Sequence, residues 1–454
     1  MTHVQKIIAV LGFMCWATQS MAQDKSSDAL TLEECISYAL NHHTDVKNAQ
    51  LDNKIAKKEV KETTAIGLPQ IDAQVELINN LAVQQQFIPN EGPFADPTLP
   101  SDAVFPVEFG VRHSGIASAT ISQLIFDGSY FIGLKAAKVY TQLSEKNIKR
   151  SKIDVVENVS KAYYAVLVNE QRVKLLKNNR KVLEDLYHDT QVRYDNGFVE
   201  EVDLQRIEVN INNLETEIRK LESLVEISYD LLKFQMNMPF QENISLAESL
   251  ESKIDELNTY EPEELNTGNR VEYEQMQVQK ELGLLSIRNE QARALPRLSA
   301  FGRAGYNNGA IVFSDMTEAG NWRDFSMVGV TLDVPIFSSF QRRHRIDIEK
   351  IELEKVNNET EQMVSGIEME SRQAKANFRD NKDNISFHKK NMELAKKVYD
   401  VTKSKYEEGM ASNFEVVEAE SDMQEASTNY FTAVYDALIA RIEYQKSVGN
   451  LYNE

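Results

Sequence analysis

The sequence predicts an α+β fold built from two copies of one unit, each consisting of a helix, a β-hairpin, a long helix, a tight turn and a second helix. Three observations support this prediction: two long tracts lack proline, a short motif occurs twice, and alternating apolar and polar residues precede each long tract. The proline-free tracts cover residues 107–238 and 336–454. Because proline interrupts a helix at a cost of roughly 3 kcal/mol, these tracts favour long uninterrupted helices.

Composition narrows the class of protein. The chain has 454 residues, a formal charge of −20, 42% hydrophobic residues and two cysteines. A disulfide-stapled scaffold needs more cysteines, and a disordered acidic tail would contain fewer apolar residues. Nucleic-acid binding requires a basic surface, so we expect no nucleic-acid partner.

The N-terminus predicts a cleaved secretory signal peptide over residues 1–22. Lys6 is the only Lys, Arg, Asp or Glu in this segment, an apolar run extends from Ile7 to Trp16, and small residues precede the cleavage site. The run is too short to span a bilayer as a helix. The mature chain would retain one cysteine, Cys35, whose neighbours predict a helix core position.

An internal repeat is the most informative feature of the chain. Segment 193–198 has the pattern basic, Tyr, acidic, polar, Gly, apolar, and segment 405–410 repeats it at an offset of 212 residues. After each copy, apolar residues recur at alternating spacings of three and four residues. This spacing is typical of a coiled-coil seam. Two further matches pair Leu68-Pro69 with Leu295-Pro296 and Ile125-Phe126 with Ile336-Phe337. A longer loop over residues 87–106 in the first copy explains why the offsets of these two matches differ by 16 residues.

These patterns predict the domain organisation. The first repeat covers residues 23–238, a linker covers 239–268, and the second repeat covers 269–454. In the first repeat we expect strands at about 68–83 and 107–126 and helices at 129–194 and 200–235. In the second repeat we expect strands at about 296–313 and 324–337 and helices at 339–406 and 412–449. The polar linker contains Pro239 and Pro262 and is expected to be irregular.

The alternating segments indicate strands with one apolar and one polar face. Ile71 and Val75, for example, alternate with Asp72 and Glu76. Four strands leave two open edges, and unpaired backbone groups each cost several kcal/mol inside a bilayer. We therefore expect other copies of the chain to close the edges in a membrane barrel, with polar residues facing a wet lumen. Strand arithmetic alone accepts two, three or four chains.

Aromatic residues cluster where each predicted sheet segment meets a long helix. Such residues are typical of the belt at a membrane–water interface, although packing within the core would also explain them. The five residues are Phe126, Tyr130, Phe131, Phe337 and Phe340.

With these features, the sequence resembles the TolC family of outer-membrane efflux channels over nearly all of the mature chain. The marks of this resemblance are segment 32–41, both Leu-Pro pairs, segment 124–128, segment 334–337 and the two Tyr-x-x-Gly turns. Their order, spacing and duplication are specific, whereas any one of them is weak. The resemblance implies an outer-membrane homotrimer with a 12-stranded transmembrane β-barrel, continued by a periplasmic α-helical barrel.

The resemblance also implies a function and a set of partners. TolC-like channels are passive exit ducts of tripartite efflux or type I secretion systems. A periplasmic adaptor and an inner-membrane pump, which is an RND or an ABC transporter, open the periplasmic tip. Outer-membrane lipid surrounds the barrel, and no cofactor is implied.

The family places a gate at the periplasmic tip. Carried over from the second Tyr-x-x-Gly turn, its two acidic ring positions are Glu415 and Glu418, and its turn tyrosine Tyr406 would contact Asp203. A spacing of three puts both glutamates on one helix face, although a solvated face would have the same pattern. The sequence departs from the family in having Glu where Asp is usual, and in having Ala411 where a basic residue often holds the gate closed.

The two turns also carry residues that the family uses to meet its adaptor. Gly197 and Gly409 are expected to supply the positive φ at which a helix ends. Phe198 and Met410 follow them and are candidate docking contacts, the alternative being that each packs back on its own helices.

No pattern typical of an enzyme or of a metal site occurs in the sequence. It lacks a Gly-rich phosphate loop, His-Glu-x-x-His, Cys-x-x-Cys and Gly-x-Ser-x-Gly. Three hypotheses remain: an export channel, a periplasmic structural coiled-coil scaffold without a pore, and an enzyme or ligand receptor. The scaffold would leave the alternating segments without a role, and the missing motifs disfavour the third hypothesis.

Overall fold

The computed structural model describes residues 29–452 apart from 92, 94 and 101. The predicted signal peptide therefore lies outside the described residues. The first half contains β1 Ala29–Leu30, α1 Leu32–His42, α2 Thr44–Ile66, β2 Gln70–Asn79, β3 Gln85–Pro89, β4 Val104–Glu108, β5 His113–Phe126, α3 Gly128–Asp195 and α4 Glu201–Met236. After these come β6 Ser245–Leu246, α5 Leu250–Thr259, α6 Val271–Ala292, β7 Arg297–Ala310, β8 Arg323–Asp333, α7 Gln341–Glu407 and α8 Asn413–Ser447.

The long helices lie within one or two residues of the predicted ones. Helix α3 has 68 residues and α7 has 67, and both end one residue beyond the prediction. Helices of this length form because the two tracts contain no proline and few glycines.

The chain forms two compact units. The first, here called the helical unit, comprises residues 29–51, 145–275 and 360–452 of the described chain. The second, here called the sheet unit, comprises residues 52–144 and 276–359. Each unit has its own buried apolar cluster.

The helical unit is held together by two clusters of buried side chains. One contains the fully buried Tyr163 and Phe378, and the ring of Phe378 stacks on that of Tyr444 at 6.0 Å between centroids. The other contains buried members of both predicted coiled-coil seams, among them Ile207, Leu214, Ile218, Leu221, Val416 and Ala419. The heptad spacing buries these residues because it keeps them on one helix face.

The sheet unit contains a four-stranded antiparallel sheet in the order β2-β5-β7-β8. Each repeat contributes one hairpin, and the pairing of β5 with β7 joins them. One row across the sheet contains Asp72, Thr120, Arg303 and Met327, and the adjacent row contains Ile71, Ile121, Gly302 and Val328. Since successive residues of a strand point to opposite faces, one face is mostly polar and the other mostly apolar. Strands β2 and β8 are the outer strands, each pairing on one side only within the described chain.

Several predicted strand bounds need correction. The strand predicted at 324–337 ends at Asp333, because Pro335 has no N–H to donate and Ser339 and Phe340 have positive φ. Residues 83 and 313 likewise lie outside the strands predicted to contain them, since β2 ends at Asn79 and β7 at Ala310.

The long loop of the first repeat is more ordered than expected. Residues 107–112 belong only in part to a strand, because β4 ends at Glu108 and β5 begins at His113. Strands β3 and β4 pair in an antiparallel sheet, in which Pro89 faces Val104 and Phe87 faces Pro106. An isolated pair of strands tolerates proline because each strand has a free side.

The linker 239–268 is also not irregular. It contains α5, whose first turn is capped by the Ser249 side chain accepting a hydrogen bond from the Ser252 N–H. Leu250 and Leu257 of this helix are buried in the helical unit. Strand β6 pairs in parallel with β1, the first strand of the described residues.

Among the described residues, no helix combines the length and the apolar composition needed to cross a membrane.

Candidate functional site: the paired helix turns

The two Tyr-x-x-Gly turns have the same backbone structure. Gly197 has a φ of 77° and Gly409 has a φ of 75°. The Phe198 N–H donates to the Arg193 carbonyl at 2.9 Å, and the Met410 N–H donates to the Lys405 carbonyl at 2.7 Å. This is the Schellman ending, in which a residue with positive φ lets the chain leave the helix. The repeated motif therefore reverses the chain in the same way at the ends of α3 and α7.

The apolar residues after the two glycines do not pack back on their own helices in the protomer. The side chain of Phe198 is 81% exposed and that of Met410 is 67% exposed. Large exposed apolar side chains at adjacent turns are typical of a contact surface for another molecule.

Glu415 and Glu418 are both exposed in the first turns of α8. Glu415 also has a local structural role at the start of α8. It forms a capping box with Ser412, whose hydroxyl lies 2.9 Å from Glu415 Oε1 and accepts a hydrogen bond from the Glu415 N–H. The motif Ser-x-x-Glu was the signal that could have revealed this cap. Glu418 is free of ion pairs in the described part of the chain.

The expected contact between Tyr406 and Asp203 is wrong. The buried Tyr406 hydroxyl is hydrogen-bonded to Thr190 Oγ1 at 2.9 Å. Asp203 serves its own helix instead, since its carboxylate accepts a hydrogen bond from the Glu200 N–H at 3.4 Å. The Asp203 carbonyl accepts a hydrogen bond from Asn413 Nδ2 at 2.6 Å. The hydrogen bond from the Glu200 N–H holds the Asp203 carboxylate at the start of its own helix.

Arg193 joins the end of α3 to the end of α7. Its guanidinium donates to the Tyr406 carbonyl at 3.0 Å and to the Glu407 carbonyl at 2.6 Å. It also lies 5.0 Å from the centroid of the Tyr406 ring. A cation at the last carbonyls of a helix is favourable because these groups carry partial negative charge. We call Thr190, Arg193 and Tyr406 the turn clamp.

In the sequence, Arg193 is simply the basic position of the repeated motif. Its partners are carbonyl groups more than 200 residues away, so no local pattern identifies them. The clamp supplies a cation at the turns of a chain that has Ala411 where the family often has a basic residue.

Glu420 is a second feature that the sequence did not reveal. Its side chain is 5% exposed on α8, and its Oε1 atom has no hydrogen-bond partner among the described residues. Burial raises the pKa of this carboxyl to about 7. The Tyr399 hydroxyl on α7 is also buried without a partner, and its pKa is raised by burial and then by the nearby Glu420 carboxylate.

The predicted interface aromatics form two groups in the sheet unit. Phe131 contacts Phe126 and Tyr130, with ring centroids 6.0 Å and 5.3 Å apart. Phe337 contacts Phe340 edge-on at 5.9 Å. All except Tyr130 are exposed, and the Tyr130 hydroxyl donates to the Thr64 carbonyl at 3.2 Å. Packing within the protomer core is therefore not the main role of the four phenylalanines.

Within the described part of the chain, no three His, Cys, Asp or Glu residues are grouped so that they could hold a metal ion.

Comparison with known proteins identifies the family. The outer membrane efflux protein family matches residues 35–234 and 267–450, which is most of the chain. The chain belongs to the outer membrane efflux protein family. This assignment confirms the resemblance to TolC-like channels. The protein is an outer-membrane channel component of an efflux system, and the family is one of ducts rather than of enzymes.

Solved channels share the fold of this outer membrane efflux protein. CusC is 16% identical with a TM-score of 0.71, over 93% of this chain and 92% of that chain. CmeC of Campylobacter jejuni is 15% identical with a TM-score of 0.69, over 93% of this chain and 86% of that chain. MtrE of Neisseria gonorrhoeae, solved in its open state, is 16% identical with a TM-score of 0.67, over 92% of this chain and 89% of that chain.

No curated protein matches the sequence of this outer membrane efflux protein. The family assignment favours the channel over the periplasmic scaffold without a pore.

Proposed function

We propose that the protein is one subunit of a homotrimer that forms a passive exit duct through the outer membrane. The observation that carries this proposal is the four-stranded sheet, whose outer strands β2 and β8 each pair on one side only among the described residues. Three such sheets, joined edge to edge, would make a closed barrel of twelve strands, which leaves no unpaired edge in lipid. The row through Ile71, Ile121 and Val328 would face lipid, and the row through Asp72, Thr120 and Arg303 would face water.

The proposed duct requires partners that supply energy. A periplasmic adaptor would bind the paired helix turns, where Phe198 and Met410 are exposed. An inner-membrane RND or ABC transporter would then deliver substrate into the tube. The signal peptide over residues 1–22 would direct the chain across the inner membrane.

The test of this proposal is reconstitution of the purified full-length protein. We expect a detergent-stable trimer in outer-membrane fractions and discrete conductance steps in planar bilayers. A water-soluble monomer that inserts into no bilayer would overturn the proposal. Protein released by osmotic shock, without detergent, would favour the scaffold.

We further propose that Glu415 and Glu418 form acidic rings at the periplasmic mouth. Two carboxylates per subunit would make the mouth favour cations. The double variant Glu415→Gln with Glu418→Gln is expected to lower the ratio of cation to anion permeability and to raise single-channel conductance. Reversal potentials across a KCl gradient measure the permeability ratio.

The choice of glutamine separates charge from helix capping. Glutamine can replace glutamate in the capping box with Ser412, whereas alanine cannot. The matched control is Glu425→Gln, an exposed glutamate on the same helix. If the double variant and this control have the same permeability ratio as the unmodified protein, the acidic rings are not at the mouth.

A further inference from the structure

We propose that the junction between β8 and α7 binds an anionic glycerophospholipid. We call this the junction site and define it by Ile336, Phe337, Phe340, Arg342 and Arg343, which line a surface cavity of about 550 Å³. The inference rests on the proposed function, because it requires the sheet unit to lie in the outer membrane. It goes further in assigning a ligand class to one end of the sheet.

The backbone of the junction has an unusual conformation. Ser339 has a φ of 47° and Phe340 has a φ of 64°, both in the left-handed region. A bulky residue rarely adopts this conformation, which is disfavoured by contact of its Cβ with the backbone. Unfavourable backbone conformations that persist in a fold often occur at binding sites. Here the conformation lies in the turn between the end of β8 and the start of α7.

The apolar part of the junction is open to its surroundings. In the protomer, Ile336 is 91% exposed and Phe337 is 75% exposed. A surrounding bilayer would cover both side chains. The Phe337 and Phe340 rings pack edge-on against each other, which holds them at the mouth of the cavity. Aromatic rings at the edge of a membrane sheet lie at the level of the lipid head groups.

The arginines of the junction have no ion-pair partner in the part of the chain that the structure describes. Arg342, Arg343 and Arg345 lie within four positions of a chain whose formal charge is −20. None of the three forms an ion pair with any residue that the structure describes. Asp347 and Lys350 also line the cavity, and they are paired with each other at 3.5 Å. Arg342 Nη2 donates a hydrogen bond to the Pro335 carbonyl at 3.5 Å.

The two parts together match one class of ligand. A guanidinium group binds phosphate through two parallel hydrogen bonds, and the adjacent exposed apolar side chains suit an acyl chain. A lipid with net negative charge fits better than a zwitterionic one, because the cationic nitrogen of a zwitterionic head group offsets the phosphate charge and repels the arginines. The corresponding junction of the first repeat lacks this cluster. There Asp127 caps α3 and lies 3.8 Å from Arg297.

The test compares lipid binding to the purified trimer by native mass spectrometry. Phosphatidylglycerol and phosphatidylcholine with identical acyl chains are added at equal concentrations. We expect phosphatidylglycerol to bind more tightly, and we expect the double variant Arg342→Gln with Arg343→Gln to weaken its binding by roughly tenfold or more. The control Arg372→Gln with Arg379→Gln removes the same charge from exposed positions of α7 and should bind as the unmodified protein does.

Further measurements distinguish the competing outcomes. Equal affinity for the two lipids, or equal loss in the two double variants, would overturn the proposal. Full competition by the same concentration of inorganic phosphate would assign the arginines to a free anion and also overturn it. Phe337→Ser is expected to weaken phosphatidylglycerol binding, since it removes the apolar contact. Trimer mass and bilayer conductance report separately on the proposed function, so a trimeric channel without lipid preference would refute only the junction site.

Discussion

Arg193→Ala combined with Tyr406→Phe is expected to raise the single-channel conductance severalfold. The double variant removes both hydrogen bonds from the guanidinium to the end of α7 and the hydrogen bond between Tyr406 and Thr190. In the proposed duct these bonds hold the two turns together in the closed state. Hydrogen bonds to charged groups contribute about 1.5–3 kcal/mol, so their loss would shift the closed-to-open ratio by about tenfold or more.

One single variant and one control make this expectation specific. Tyr406→Phe alone should have the smaller effect, because it removes one neutral hydrogen bond and leaves Arg193 in place. The control is Arg219→Ala, which removes an exposed arginine whose ion pair with Glu215 lies within a single helix. Planar-bilayer recordings at low voltage measure the open fraction. A double variant with unmodified conductance and open fraction would show that the turn clamp does not hold the gate.

Glu420→Gln is expected to raise the free energy of unfolding at pH 8 by up to about 3 kcal/mol relative to the unmodified protein. Burial raises the pKa of this carboxyl from 4.5 in the unfolded chain to about 7 in the fold. The folded state therefore binds the proton more tightly than the unfolded state does. The stability linked to this proton is fully present below pH 4.5, declines as the pH rises toward 7, and is absent above that value.

The glutamine variant carries no ionisable group at this position. Its stability advantage should be near zero at pH 4.5 and should grow through the interval up to pH 7. Denaturant midpoints at several pH values measure this difference. Glu425→Gln changes an exposed glutamate of the same helix and should give no such pH-dependent difference. A constant difference between Glu420→Gln and the unmodified protein at all pH values would contradict the burial argument.

Several features of the fold followed from local sequence. Residues 193–198 and 405–410 predicted two equivalent helix endings, and both turns have glycine at positive φ. Spacings of three and four predicted the buried seam through Ile207 and Ile218. These predictions succeed because helix periodicity, strand alternation and the special conformations of glycine and proline depend on neighbours within a few residues.

The wrong predictions concern which groups of the protein contact each other. The spacing of Glu415 predicts an acidic ring or a solvated face, but this residue also caps its helix. The resemblance pairs Asp203 with Tyr406, but Asp203 caps its own helix. The linker was expected to be irregular, whereas Leu250 and Leu257 are buried and stabilise a helix there. In these cases a local cap or a distant apolar surface competed with the contact that the pattern suggested.

The sequence by itself determined the repeated unit, the positions of the long helices and the alternation of the strands, because each of these is encoded in short-range spacing. Only the tertiary structure decided that Tyr406 bonds Thr190 across 216 residues, that Arg193 caps α7, and that Glu420 is buried while Glu418 is exposed. Burial and hydrogen-bond partners depend on which distant helices lie alongside a residue. That arrangement is set by the packing of the whole chain, and glutamates at neighbouring positions can therefore differ in burial.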